Sequence, residues 1–136
     1  MIRRLLIAGL VLFMSPNFPA HADEGAPSHI APGELLELIE AGKAPKIVDV
    51  RSRYEYDKGH VPGAIHIPFW AAFSRSSEMA AVQDDMVVVY CEHGPRAGIA
   101  KLALRFSGFK KIVYLEGHMT GWKKAGLPQQ VTAVER

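Results

Sequence analysis

Two hydrophobic periods alternate along this chain. After Pro32, Leu35, Leu38 and Ile39 recur on one helical face, Glu34, Glu37 and Glu40 fall mostly on the other, and Gly42 stops the pattern. Residues 46–50 (Lys-Ile-Val-Asp-Val), 65–67, 86–90 (Met-Val-Val-Val-Tyr) and 111–115 are short β-prone runs, and 86–90 is continuous enough to predict a central buried strand. Between them, 51–58 reads as a loop with a short helix, and 59–64 (Gly-His-Val-Pro-Gly-Ala) as turn chemistry. Residues 69–73 are apolar and aromatic and either cover a crevice or fill the core, while 74–85 predict at most a short helix over 78–83. Ile99, Leu102, Ala103 and Phe106 recur at i, i+3, i+4 and i+7, which predicts a helix ending at Gly108. A last short helix over 122–125 is stopped by Gly126 and Pro128, and 129–136 form a tail.

No two apolar runs are joined by a two-residue hairpin turn. Strands alternating with helices therefore predict an α/β fold, a mostly parallel central sheet with helices on both faces. A chain of 136 residues suffices for one hydrophobic core and is too short for two full domains. Its first 22 residues stand apart. Arg3 and Arg4 precede an apolar stretch over 5–14, and Ala20-His21-Ala22 makes an A-x-A cleavage pattern, as in a secretory signal peptide. That stretch is about half of the roughly 20 apolar residues a spanning helix needs. The expectation is export to the periplasm or another compartment outside the cytoplasm, with no membrane contact after cleavage. The remainder divides into a mobile lead-in over 23–31, one domain over 32–128 and the tail.

Removing the leader changes the electrostatics. Without Arg3 and Arg4 there are 14 Lys and Arg against 14 Asp and Glu, so the mature chain is near neutral and has no general attraction for nucleic acid. Any anion binding must be local, and the place for it is the segment after the central strand. Cys91, the only cysteine, follows that strand, where open α/β sheets keep their binding crevices. It cannot form an internal disulfide. It is either a small buried hydrophobe or a nucleophile, and a nucleophilic thiol needs N–H groups, a helix N-terminus or cations around it. Glu92-His93-Gly94-Pro95-Arg96-Ala97 supplies a tight turn, a guanidinium and a helix start. Two features oppose this: Glu92 is a like charge beside a thiolate, and Pro95 has no N–H.

Three separated motifs make the chain resemble the rhodanese family of sulfurtransferases in its single-domain form. They are Asp49-Val50-Arg51 through Glu55 with Gly59-His60-Val61-Pro62-Gly63-Ala64 and Ile67-Pro68; the loop Cys91 to Arg96; and Leu115-Glu116-Gly117 with Gly121-Trp122 and Gly126-Leu127-Pro128. The resemblance implies a rhodanese-like three-layer fold and a persulfide mechanism without a cofactor. Cys91 would take sulfur from a small anionic donor such as thiosulfate and pass it to a thiol or cyanide acceptor. In the site this implies, backbone N–H groups of Glu92, His93, Gly94, Arg96 and Ala97 cradle the sulfur, Arg96 holds the donor's oxyanion end, and Arg51 lines the crevice or pairs with Asp49 or Glu55. The chain departs from the family where Ala97 stands in place of a common hydroxyl residue and where Pro95 removes a donor.

Other readings have less support. Phosphatases that share the fold place five residues between cysteine and arginine, and here four separate Cys91 from Arg96, a ring better fitted to one sulfur than to phosphate. A low-turnover persulfide carrier or partner-binding module is the alternative within the family. His60 is expected to make a structural hydrogen bond, His66 to lie beside the core, His93 to face solvent, and His118 to border the mouth. No spacing of Cys91, His93 and His118 resembles a structural zinc site, so no metal is expected. Trp122, Phe69, Trp70 and Phe73 read as core and rim. A monomer is expected.

Overall fold

The computed structural model describes residues 28–81 and 83–132. The expected leader and residues 23–27 lie outside the described residues. Five parallel strands, β1 (His29–Ile30), β2 (Lys46–Asp49), β3 (Ile65–His66), β4 (Met86–Tyr90) and β5 (Lys111–Leu115), form one sheet in the order β1-β5-β4-β2-β3. Four helices accompany them: α1 (Pro32–Glu40), α2 (Arg53–Lys58), α3 (Pro95–Phe106) and α4 (His118–Lys124). Two 3₁₀ turns, Phe69–Ala71 and Ser76–Met79, link β3 to β4. Among the described residues, no helix is long and apolar enough to cross a membrane.

The central strand shows why this is a three-layer fold. Val87, Val89 and Cys91 project to one side, with Ala97, Ala100 and Leu104 of α3 and Ala71 and Met79 of the 3₁₀ turns. Val88 and Tyr90 project to the other, with Leu35 of α1 and Met119 and Trp122 of α4. Val87 to Tyr90 and Cys91 just beyond the strand are all buried, as a strand with cover on both faces requires.

Five features differ from the sequence pattern. His29–Ile30, placed in the lead-in, forms the edge strand, since two residues paired to Tyr114 and Leu115 are too few to show a period. The turn at Ser76–Met79 replaces a helix over 78–83, and α4 begins at His118 instead of residue 122. Gln130, placed in the tail, exchanges backbone hydrogen bonds of 2.9 Å with His60, so the chain end is pinned to the Gly-His-Val-Pro-Gly turn. The largest difference is in α3. Its large apolar residues Ile99, Leu102 and Phe106 face outward, beside an exposed Phe73, and the buried face is Ala97 and Ala100 at the amino end followed by Leu104. Small side chains let the helix axis approach the sheet closely, and a period cannot tell this face from its neighbour.

This orientation has a measurable consequence. Leu104→Ala should destabilise the fold by about 2–5 kcal/mol in urea unfolding, whereas Phe106→Ala, whose ring is 77% exposed, should stay within about 0.5 kcal/mol of the parent. The reverse ranking would mean that α3 buries its large-residue face.

Candidate functional site

Strands β2, β4 and β5 run parallel, so their carboxyl ends deliver Arg51, Cys91 and His118 to the same rim of the sheet. Cys91 leaves β4 and is 1% exposed. The loop turns at Gly94, whose φ of +134° favours glycine and where a Cβ would stand 3.3 Å from His118 Nε2. Pro95 then opens α3 at the first helical position, where an N–H would have no intrahelical partner, so its missing donor costs the helix nothing.

Around the sulfur, the Gly94 N–H donates to Sγ at 2.9 Å. Burial pushes the Cys91 thiol up, but a hydrogen bond with His118 and the amides of Ala97, Gly94 and His93 outweigh it, and the thiol is lowered to about 7. Of the five amides expected in the cradle, three therefore act on Cys91. Ala97 does so with its methyl in the core, so the hydroxyl-for-methyl departure leaves its amide in place.

The loop's carbonyls are taken up elsewhere. Met119 N–H donates to the Cys91 carbonyl at 3.0 Å and Thr120 N–H to the Glu92 carbonyl at 3.2 Å, where the Thr120 hydroxyl also donates at 2.9 Å. Because a trans peptide places C=O and N–H on opposite sides, a Glu92 carbonyl turned toward α4 turns the His93 N–H away from it, to the sulfur side.

The charged residues are almost entirely paired. Arg51 is 1% exposed and is a buried strut. Its Nη2 donates to Asp49 Oδ2 at 2.8 Å and to the Gly59 carbonyl at 2.7 Å, and its Nη1 donates to Glu92 Oε2 at 2.9 Å. Of the two roles open to Arg51, pairing with Asp49 is the one present; the expected substrate-binding role is not, because the guanidinium is enclosed. Glu92 also accepts from Lys123 Nζ at 3.0 Å. Burial would raise the Glu92 carboxyl, but Lys123 and Arg51 hold it below its ordinary range. The like charge feared beside the thiolate is thus drawn away into an alternating series, Asp49, Arg51, Glu92, Lys123.

Arg96 stands at the mouth, roughly a third exposed, and is gripped by Glu55 through Nη1 at 2.7 Å and Nη2 at 2.9 Å. Glu55 is itself fixed by a capping box with Ser52 at the start of α2, and the Arg96 fork holds its carboxyl far below the usual carboxylate range. Any oxyanion taken by Arg96 must therefore compete with this carboxylate. His93 is exposed, with Nδ1 3.2 Å from the Thr120 hydroxyl. His60 stacks on Tyr56 at 3.7 Å and hydrogen-bonds its carbonyl, while His66 Nε2 hydrogen-bonds the Arg51 carbonyl at 2.7 Å. The sequence pattern did not reveal the Glu55–Arg96 pair or the depth to which His118 enters the loop. The Ser-x-x-Glu spacing at Ser52 and Glu55 could have shown the helix start, but nothing local could have shown Arg96.

Known proteins share this fold. The Rhodanese-like domain matches residues 31–125. The chain is 30% identical over 104 residues to the Putative sulfur carrier protein YrkF of Bacillus subtilis, covering 75% of this chain and 55% of that protein. It is 34% identical over 104 residues to the Probable adenylyltransferase/sulfurtransferase MoeZ of Mycobacterium tuberculosis, covering 76% of this chain and 26% of that protein. The chain thus spans about half of one relative and a quarter of the other. Among solved structures, the Alr3790 protein of Anabaena superposes with a TM-score of 0.69 at 28% identity, over 77% of this chain and 94% of that one. A thiosulfate sulfurtransferase of Pseudomonas aeruginosa superposes with a TM-score of 0.69 at 26% identity, over 81% of this chain and 21% of that one. A match over most of the chain, together with a single thiol ringed by amides at the end of the central strand, shows that this chain belongs to the rhodanese-like domain family.

Proposed function

We propose that the protein is a sulfurtransferase that carries sulfane sulfur as a persulfide on Cys91. The observation that carries this reading is the ring of amides from His93, Gly94 and Ala97 around a thiol lowered to about 7, which supplies thiolate at neutral pH and donors for an anionic sulfur. With thiosulfate, the Cys91 thiolate attacks the outer sulfur, the S–S bond of the donor breaks, and sulfite leaves with the bonding pair. A thiolate or cyanide then attacks the terminal persulfide sulfur and Cys91 departs as thiolate. The loop stabilises an anionic sulfur before and after each exchange, so the same amides serve both halves. Neither half requires a cofactor.

A second reading, a persulfide carrier of low turnover with thiosulfate, has its own support. Arg96 and Arg51 are both engaged by carboxylates, which leaves the mouth without a free guanidinium for an anionic donor. Mass spectrometry after incubation with thiosulfate should show a gain of one sulfur atom that disappears on adding cyanide, and Cys91→Ser should abolish both. Loading without catalytic turnover would select the carrier, and no adduct on a reactive thiol would remove both readings.

Arg96→Ala should weaken use of thiosulfate several-fold while changing transfer from a neutral polysulfide far less, as compared through kcat/KM for the two donors. An equal loss with both would mean that the Glu55–Arg96 pair only shapes the loop.

Export is proposed on the residues alone, from Arg3-Arg4, the apolar run over 5–14 and Ala20-His21-Ala22. N-terminal sequencing of the protein recovered from its native cell envelope should begin at Asp23. A retained Met1 would remove the proposal.

A further inference from the structure

His118 is one of two described residues other than glycine with a positive φ, at +53°, and it directly follows Gly117 at +72°. A glycine would take the left-handed conformation without steric cost, so a side chain held there calls for a compensating contact. The backbone around it is tightly fixed. Gly121 N–H donates to the Gly117 carbonyl at 2.8 Å, a Cβ on Gly117 would meet Gly121 Cα at 3.1 Å, and the next two amides, Met119 and Thr120, are spent on the loop carbonyls of Cys91 and Glu92. The imidazole is thereby carried under the catalytic loop. Its Nδ1 accepts the Cys91 N–H at 3.3 Å, and its Nε2 lies against Gly94, whose own N–H reaches the sulfur at 2.9 Å.

This geometry determines the tautomer. With Nδ1 accepting from a backbone amide, the neutral ring carries its proton on Nε2, on the Gly94 side of the loop. We propose that His118 is the positioning residue of the Cys91 sulfur: Nδ1 fixes the cysteine backbone, and Nε2–H adds a side-chain donor to the ring of backbone donors that holds the thiolate and, on the sulfur-transfer reading above, the persulfide. Consistent with this, His118 stands first among the groups that lower the thiol, ahead of the three amides.

The other charged and titratable groups around the pair come from every neighbouring element. Arg96 of α3 is paired with Glu55, and Glu92 of the loop is paired with Arg51 and Lys123. The Tyr114 ring of β5 lies 5.9 Å from the His118 ring and is itself covered by Lys101. His93 stands on the loop with its ring toward Thr120. None of these replaces a donor at Nε2.

The test uses the full chain, whose single cysteine makes alkylation by iodoacetamide report Cys91 alone. The parent should alkylate with a half-point near pH 7. His118→Gly relaxes the left-handed backbone, so it should fold with an unchanged or higher Tm. Its half-point should move toward the ordinary thiol value of about 8.5, with alkylation at pH 7 falling roughly tenfold and the two curves merging at high pH. His118→Asn tolerates the left-handed backbone and keeps an acceptor for the Cys91 amide, but it lacks the reach to donate from the Nε2 position. It should titrate like the glycine variant. An unchanged half-point in His118→Gly would overturn the proposal, and a parental half-point in His118→Asn alone would overturn the donor role of Nε2. Alkylation needs no sulfur donor, so the shift would survive even if the parent failed to transfer sulfur from any donor, and the two failures are separable.

Discussion

The carbonyls of Cys91 and Glu92 both end in the first turn of α4, and this orientation of the peptide planes is what leaves loop N–H groups free to meet the sulfur. Without α4 to accept those carbonyls, the loop would have to satisfy them itself or leave them to water, and the N–H groups would no longer converge. The carboxyl-terminal motif of the chain, Leu115-Glu116-Gly117 through Trp122, therefore helps shape the Cys91 loop although it begins more than twenty residues after Cys91. Trp122 sits beneath it, fully buried, with its indole N–H donating to the Pro128 carbonyl at 2.9 Å. Packing of one aromatic ring thus holds the helix whose first turn orients the site.

Charge is handled by the same logic of complete pairing. Buried Arg51 would be costly alone, and removing one partner of such a pair typically costs about 3–5 kcal/mol. Here it is enclosed by Asp49, Glu92 and the Gly59 carbonyl. That strut ties the end of β2 to the loop after β4 and to the turn at Gly59, joining two of the three sequence motifs. It also removes Glu92 from the thiolate's surroundings. The thiol is then lowered by hydrogen bonds from amides and one imidazole more than by any nearby free cation. Donors arranged this way suit a charge localised on one sulfur.

Outside the site, α3 has the clearest division of labour. Its Ala97 and Ala100 face lies against the sheet, and its Ile99, Leu102 and Phe106 face is open. A helix whose amino end must lie close to a sulfur at the end of a strand cannot hold large residues between itself and that strand. The small-residue face near its amino end thus follows from how close the helix comes to Cys91, and the outward large residues are what remains of the turn.

Much of the fold could be read from the amino-acid order, since strand, turn and helix signals are local. The β-branched run 86–90, the Gly94-Pro95 punctuation and the absence of hairpin turns suffice to put Cys91 at the end of a central parallel strand before a helix. Edge strand β1 escaped because two residues carry no period, and the burial of α3 escaped because two of its faces match the helical template. Partner choice was beyond the sequence for a different reason. Arg96 and Glu55 are 41 positions apart, as are Arg51 and Glu92, and Cys91 and His118 are separated by 27. By itself the sequence determined where the thiol sits and which local backbone surrounds it. Only the tertiary structure decided that both arginines are already engaged, that Glu92 is drawn into ion pairs and that an imidazole accepts the Cys91 N–H, because those outcomes depend on which strand ends the parallel sheet brings to the same rim.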